Sequence, residues 1–154
     1  MFMVEVETHS EGETRLLGSI VAEILLERGG GLVALFGELG AGKTVFVKGM
    51  AEGLGIDSRD VVSPTFVLAM RHKGAVVLWH LDAYRLDCGQ FMASCGEAFE
   101  EGGIVAIEWA DRVEGVLVQE RVDVRIEHKG ETRRRVRISA DSDFEALLRQ
   151  RLAR

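Results

Sequence analysis

The run GELGAGKT, from Gly37 to Thr44, directly follows the apolar stretch LVALF (Leu32 to Phe36) and directly precedes VFVKGMAEGL, which suits a helix. This is the phosphate-binding pattern G-x-x-x-x-G-K-[ST], with the strand before it and the helix after it that such a loop requires. Gly37, Gly40 and Gly42 let the backbone turn tightly and bring amide groups up to phosphate oxygens, where a side chain would intrude. Lys43 supplies a cation and Thr44 a hydroxyl for Mg²⁺. The helix beginning there turns its positive end toward the same anion.

The rest of the chain reads as one domain around this loop. At 154 residues, the span 1–154 is long enough to bury a core without disulfides. Nineteen basic against 25 acidic residues give a net charge of −6, which argues against a broad electrostatic grip on nucleic acid. Cys88 and Cys95 fit neither a disulfide framework nor a C-x-x-C metal motif, and suit a reducing interior. The start, MFMVEVET, has no basic leader, and no run approaches a membrane-spanning length of apolar residues. A cytoplasmic protein with no membrane partner is expected.

Apolar spacing sets the element order. Val4 to Thr8 alternates like a short strand, and Ser10 to Glu13 has the spacing of a capping box. Leu16, Leu17, Ile20, Val21, Ile24 and Leu25 then form a helical face that ends at Gly29-Gly30-Gly31. After the phosphate loop a second helix runs to about Leu54. Val61 to Met70 reads as a loop entering a strand, and Val76 to Leu81 as another strand. From Asp87 to Glu101 a helix is expected, with Phe91, Met92, Cys95 and Phe99 inward. A strand over Ile104 to Ile107 follows, then a hairpin of VDVRIE and RVRIS around Lys129-Gly130, and a closing amphipathic helix from Asp143. The pattern predicts an α/β fold: a single-domain P-loop NTPase whose mixed central sheet is flanked by helices.

Turnover at a phosphate loop also needs a carboxylate near Mg²⁺, usually at the end of a neighbouring buried strand. Two strands end that way: VVLWHLD in Asp82 and GIVAIEW in Glu108. Such a carboxylate projects into the crevice where open α/β sheets bind ligands, so at least one of the two should face the metal. His80 shares a strand face with Asp82 but lacks a third ligand at metal-site spacing, so a structural role is favoured. Trp79 suits the core or an interface. Trp109 follows a candidate metal carboxylate and suits a wall of the nucleotide pocket. Tyr84 and Arg85 suit surface recognition. Ser63-Pro64-Thr65 occupies a place where phosphate-loop proteins keep a segment that senses the terminal phosphate.

Together, GELGAGKTVFVKG, SPTF, HLDAYRL and EEGGIVAIEWADR resemble the TsaE (YjeE) family, small bacterial ATPases of tRNA threonylcarbamoyladenosine biosynthesis. The likeness spans about residues 10–112, and thins beyond Arg112 to a hairpin bearing Arg133, Arg134, Arg135 and Arg137. It implies a protein that binds ATP and Mg²⁺, hydrolyses ATP weakly alone, and supports the TsaB and TsaD subunits that modify a tRNA adenosine. Contact with tRNA would be mostly indirect. Carried over by position, Gly40, Ala41, Gly42, Lys43, Thr44 and Val45 hold the phosphates, with Thr44 and Glu108 at Mg²⁺. Asp82 becomes an outer partner of the metal or the group that orients water, and Thr14 lies near the base. No arginine stands out as a finger in cis, which leaves completion of the site to a partner. The rival readings are a small-molecule kinase and a nucleotide-gated binding module without significant turnover.

Overall fold

A computed structural model of the chain describes residues 3–38, 40–64 and 68–154. The elements follow in the order β1 (Val4–Thr8), α1 (Glu11–Glu27), β2 (Gly30–Phe36), α2 (Lys43–Gly53), β3 (Ala69–Lys73), β4 (Val77–Asp82), α3 (Cys88–Cys95), α4 (Glu97–Glu101), β5 (Gly103–Glu108), β6 (Val122–His128), β7 (Arg134–Ser139) and α5 (Ser142–Leu152). The strands make one seven-stranded sheet in the order β1-β7-β6-β2-β5-β4-β3. β2 runs parallel to both β5 and β6, and β4 runs parallel to β5. β1, β3 and β7 pair antiparallel with their neighbours, so the sheet is mixed, as the sequence predicts.

Strand β2 is central, and its alternating side chains enter two different cores. Val33 and Leu35 pack with Val21 and Ile24 of α1, Phe46 and Met50 of α2, and Phe144 and Leu148 of α5. Leu32, Ala34 and Phe36 pack on the opposite face with Phe91 and Cys95 of α3 and Ala98 of α4. Burial on both faces explains why this strand reads as a continuous apolar run rather than an alternating one. It also fixes where the chain emerges. The phosphate loop leaves the carboxyl end of β2, beside the carboxyl ends of β5 and β4.

The two helices beside that loop lie unusually close. A Cβ on Gly49 would stand 2.0 Å from the Arg15 carbonyl oxygen, and one on Gly18 would stand 2.2 Å from that of Phe46. Gly53 meets the Ser19 carbonyl in the same way, at 2.7 Å. Glycine is unfavourable inside a helix, so three of them along one seam trade local propensity for backbone contact between α1 and α2. The seam anchors the helix that presents the phosphate loop.

Several boundaries differ from the sequence expectation. Strand β2 begins at Gly30, because Gly30 and Gly31 pair with Gly103 and Ile104 in place of forming a loop. The expected helix over 87–101 divides at Gly96 into α3 and α4. Met92 is exposed, because Phe91 and Cys95 already fill the contact with the sheet. Leu16 is 61% exposed, because Thr14, Leu17, Gly18 and Val21 form the inner face of α1. Ser10 caps α1 through Glu13 N–H, but the Glu13 carboxylate returns to His9 N–H, so the box is only half closed.

The seam yields a paired prediction. Gly49→Ala should destabilise the protein by about 1–3 kcal/mol despite alanine's better helix propensity, because the added methyl meets backbone. Gly12→Ala, where the nearest atom is Ser10 Oγ at 3.7 Å, should be neutral or stabilising by up to ~1 kcal/mol. Urea denaturation of both variants checks the contrast.

Candidate functional site

The loop itself shows why its glycines are needed. Gly40 and Gly42 adopt φ of +79° and +113°, values that side chains with a Cβ rarely take. Ala41 N–H donates to the Glu38 carbonyl and makes the loop turn back on itself. Gly42 is the N-cap of α2 and has no side chain to satisfy the first helical amides, which leaves them directed at the loop's concave side.

Lys43, the first residue of α2, is buried. Its Nζ donates to the Gly37 carbonyl at 2.5 Å and to the Glu38 carbonyl at 3.0 Å. The same ammonium lies 3.9 Å from the centre of the Trp109 ring. Burial pushes this amine below its ordinary pKa, while the negative charges of Glu108, Asp111, Asp82 and Glu38 act in the opposite direction. Trp109 is held in the left-handed region at φ +59°, immediately after β5, and that turn sets its ring over Lys43. Tyr84 contacts Trp109 with ring centres 4.8 Å apart, and the Arg112 guanidinium lies 5.1 Å from the centre of the Tyr84 ring. A cationic and aromatic stack thus runs from the loop lysine out to the surface.

The two expected carboxylates end adjacent strands at the same level. Asp82 pairs in register with Glu108, and Glu108 pairs with Leu35 of β2. Glu108 therefore stands one strand from the loop-bearing strand and Asp82 two strands from it, a difference of about 5 Å. Thr44 Oγ1 donates to Glu108 Oε2 at 2.8 Å. Asp82 is buried, and its Oδ1 accepts the Tyr84 amide at 2.8 Å. These hydroxyl and carboxylate groups are hard oxygen donors of the kind Mg²⁺ takes alongside substrate phosphates.

His80 takes on more than the sequence reading gives it. It is fully buried, and its Nε2 lies 2.5 Å from Glu108 Oε2, the same oxygen that accepts from Thr44. The HxD spacing does place His80 and Asp82 on one strand face. Glu108 ends the adjacent parallel strand on that same face, a neighbour that strand register reveals and the HxD spacing alone does not.

The other expected groups have these places. Thr14 is buried and shares a 2.8 Å hydrogen bond with Thr8, a contact with β1 and not with the phosphate loop. Val45 lies in the first turn of α2. Tyr84 and Arg85 are exposed in the turn after Asp82. Trp79 is half-buried and donates to Glu101 Oε1 at 2.6 Å. Thr65 lies outside the described residues. Arg134, one of the hairpin arginines and given no role by the sequence, also reaches the loop: at the start of β7 it donates from Nε to the Ala41 carbonyl at 2.8 Å. Among the described residues, no helix is long and apolar enough to cross a membrane.

Comparison with known proteins shows what the chain as a whole is similar to. The profile of the family described as "Threonylcarbamoyl adenosine biosynthesis protein TsaE" matches residues 8–136. The tRNA threonylcarbamoyladenosine biosynthesis protein TsaE of Bacillus subtilis is 34% identical, with coverage of 100% of this chain and 96% of that protein. The protein of the same name from Treponema pallidum is 38% identical over 77% of this chain and 87% of its own. The crystal structure of Bacillus subtilis YdiB superposes with a TM-score of 0.77 at 30% identity, covering 99% of this chain and 95% of that one. The loop, the carboxylate-ended strands and a family match over most of the chain agree: this chain belongs to the TsaE family.

Proposed function

We propose that this chain is a Mg²⁺-dependent, weakly active ATPase of the cytoplasm that supports the TsaB and TsaD subunits in threonylcarbamoyl modification of tRNA adenosine. The observation that carries the ATPase reading is the Thr44 to Glu108 hydrogen bond beside the buried Lys43. It brings the loop hydroxyl and a strand-end carboxylate to one point next to the phosphate cradle, which is the pairing a Mg-nucleotide requires. The pathway assignment follows from the family and from the names of its relatives.

In this reading the backbone amides from Gly40 to Val45 cradle the phosphates. Lys43 exchanges its carbonyl and Trp109 contacts for phosphate oxygens. Bound Mg²⁺ neutralises phosphate charge and polarises the terminal phosphoryl group. Thr44 and Glu108 hold it, and His80 fixes the Glu108 carboxylate through Oε2. Asp82, one strand farther out, orients the attacking water or an outer-sphere ligand. The chemistry is positioning and electrostatics, with no covalent step on the protein. Thr14 is assigned to the nucleoside side of the site, near the base, on the family resemblance alone; its own hydrogen bond is to Thr8. The region from Asp87 to Gly103, where a kinase would carry an arginine-bearing lid, contains no arginine and packs α3 and α4 against the sheet.

Two measurements test the assignment. Lys43→Ala should lower kcat/KM for ATP hydrolysis by about a hundredfold or more, and undiminished turnover would remove the loop from the mechanism. In Mg²⁺ titrations of nucleotide binding and turnover, Glu108→Ala should raise the half-saturating Mg²⁺ concentration about tenfold, and more than Asp82→Ala does. The reverse order would exchange their roles. Phosphoryl transfer to a small acceptor faster than to water would favour a kinase instead.

A further inference from the structure

Arg134 sits on the opposite side of the phosphate loop from the carboxylates. In the sheet order β7-β6-β2-β5-β4, it begins β7, whereas Glu108 and Asp82 end β5 and β4. Its guanidinium joins two backbone segments. Nε donates to the Ala41 carbonyl at 2.8 Å, while Nη1 donates to the carbonyls of Arg133 at 2.9 Å and Gly130 at 3.1 Å. The hairpin between β6 and β7 is thus tied to the loop through one planar group.

The carbonyl it holds matters for the loop. The first main-chain bond of α2 runs from Phe46 N–H to the Gly42 carbonyl, so the Ala41 carbonyl lies one residue before the helical ladder. Glycines flank it at Gly40 and Gly42, and both have backbone freedom that other residues lack. Local sterics therefore restrain the Ala41-Gly42 peptide weakly. In a trans peptide the C=O and the following N–H point in opposite directions, and none of the described residues forms a cis bond. Fixing the Ala41 oxygen on Arg134 thereby fixes the direction of Gly42 N–H.

We propose that Arg134 is a positioning residue for the phosphate loop: it draws the Ala41 carbonyl outward and so aims the Gly42 N–H into the anion cradle. The inference rests on the nucleotide-binding reading given above. It assigns Arg134 an effect through the loop and not a contact with the terminal phosphoryl group, which the proposed function puts on the Glu108 side. Lysine cannot replace it, because a single ammonium lacks the rigid fork that spans Ala41 and the hairpin together.

The test compares the full-length wild type, Arg134→Ala and Arg134→Lys by calorimetric titration with ATP and with inorganic tripolyphosphate, which has no nucleoside. Arg134→Ala should weaken both ligands by about tenfold and to similar extents, as expected for one misdirected amide donor. Arg134→Lys, which keeps the charge, should remain at least about threefold weaker than wild type. In ¹⁵N-labelled protein, the Gly42 amide signal should shift on tripolyphosphate addition in wild type and lose most of that shift in Arg134→Ala. Where Arg134→Ala fails to fold, Arg134→Lys decides. Full affinity in Arg134→Lys would show that charge alone suffices and overturn the inference. So would an unchanged tripolyphosphate affinity in Arg134→Ala, whether or not ATP binding falls. A wild-type protein that binds neither ligand would remove the nucleotide-binding reading itself.

Discussion

The hydrogen bond from Thr44 to Glu108 joins the first turn of the helix after the phosphate loop to the end of the neighbouring strand. It is possible only because β5 lies directly beside β2 and in parallel, so that both chains emerge on one edge of the sheet. A buried sheet of this kind brings loop and carboxylate together without depending on flexible segments. His80 adds a second contact to the same carboxylate oxygen from within the sheet, and is fully shielded from water. The glycine seam between α1 and α2 contributes from below, since it fixes the helix that carries Lys43 and Thr44.

The cations around the loop are already engaged by the protein. Lys43 spends its donors on loop carbonyls and its charge on the Trp109 face, and Arg134 spends Nε and Nη1 on backbone oxygens. At Lys43 a phosphate must therefore compete with contacts the protein makes to itself, whereas the Arg134 contacts hold the loop that receives it. For Lys43 the exchange would alter the packing of Trp109, which touches Tyr84 and through it Arg112 at the surface. The site thus has a physical route from the bound anion to an exposed face, consistent with a protein whose ATP state is read by others.

Much of this was legible in the sequence, for reasons that differ by element. The phosphate loop, β2, α2, the late hairpin and the strands ending in Asp82 and Glu108 were readable because glycine placement and burial patterns act locally. The mixed sheet with helices on its faces followed from their order. Leu16 and Met92 lie exposed although helical spacing puts them on the apolar stripe, because spacing does not show which edge of the stripe the neighbours cover. Gly96 divides a helix that apolar spacing alone would continue. His80 and Arg134 were harder for a different reason. Their partners are Glu108 and Ala41, 28 and 93 residues away, and only strand register and sheet order bring them together. Thr14 had a family-level expectation near the base, and its observed bond is to Thr8, across the turn between β1 and α1.

Reconstitution of this chain with purified TsaB, TsaD, tRNA, ATP and an activated threonylcarbamoyl donor, following ATP hydrolysis and tRNA modification in the same reaction, joins the site to its role. The proposed function predicts that the wild-type chain stimulates sustained modification, that the complex raises its ATPase rate, and that Lys43→Ala supports neither. Modification that proceeds equally with the chain omitted, or equally with Lys43→Ala, would contradict it.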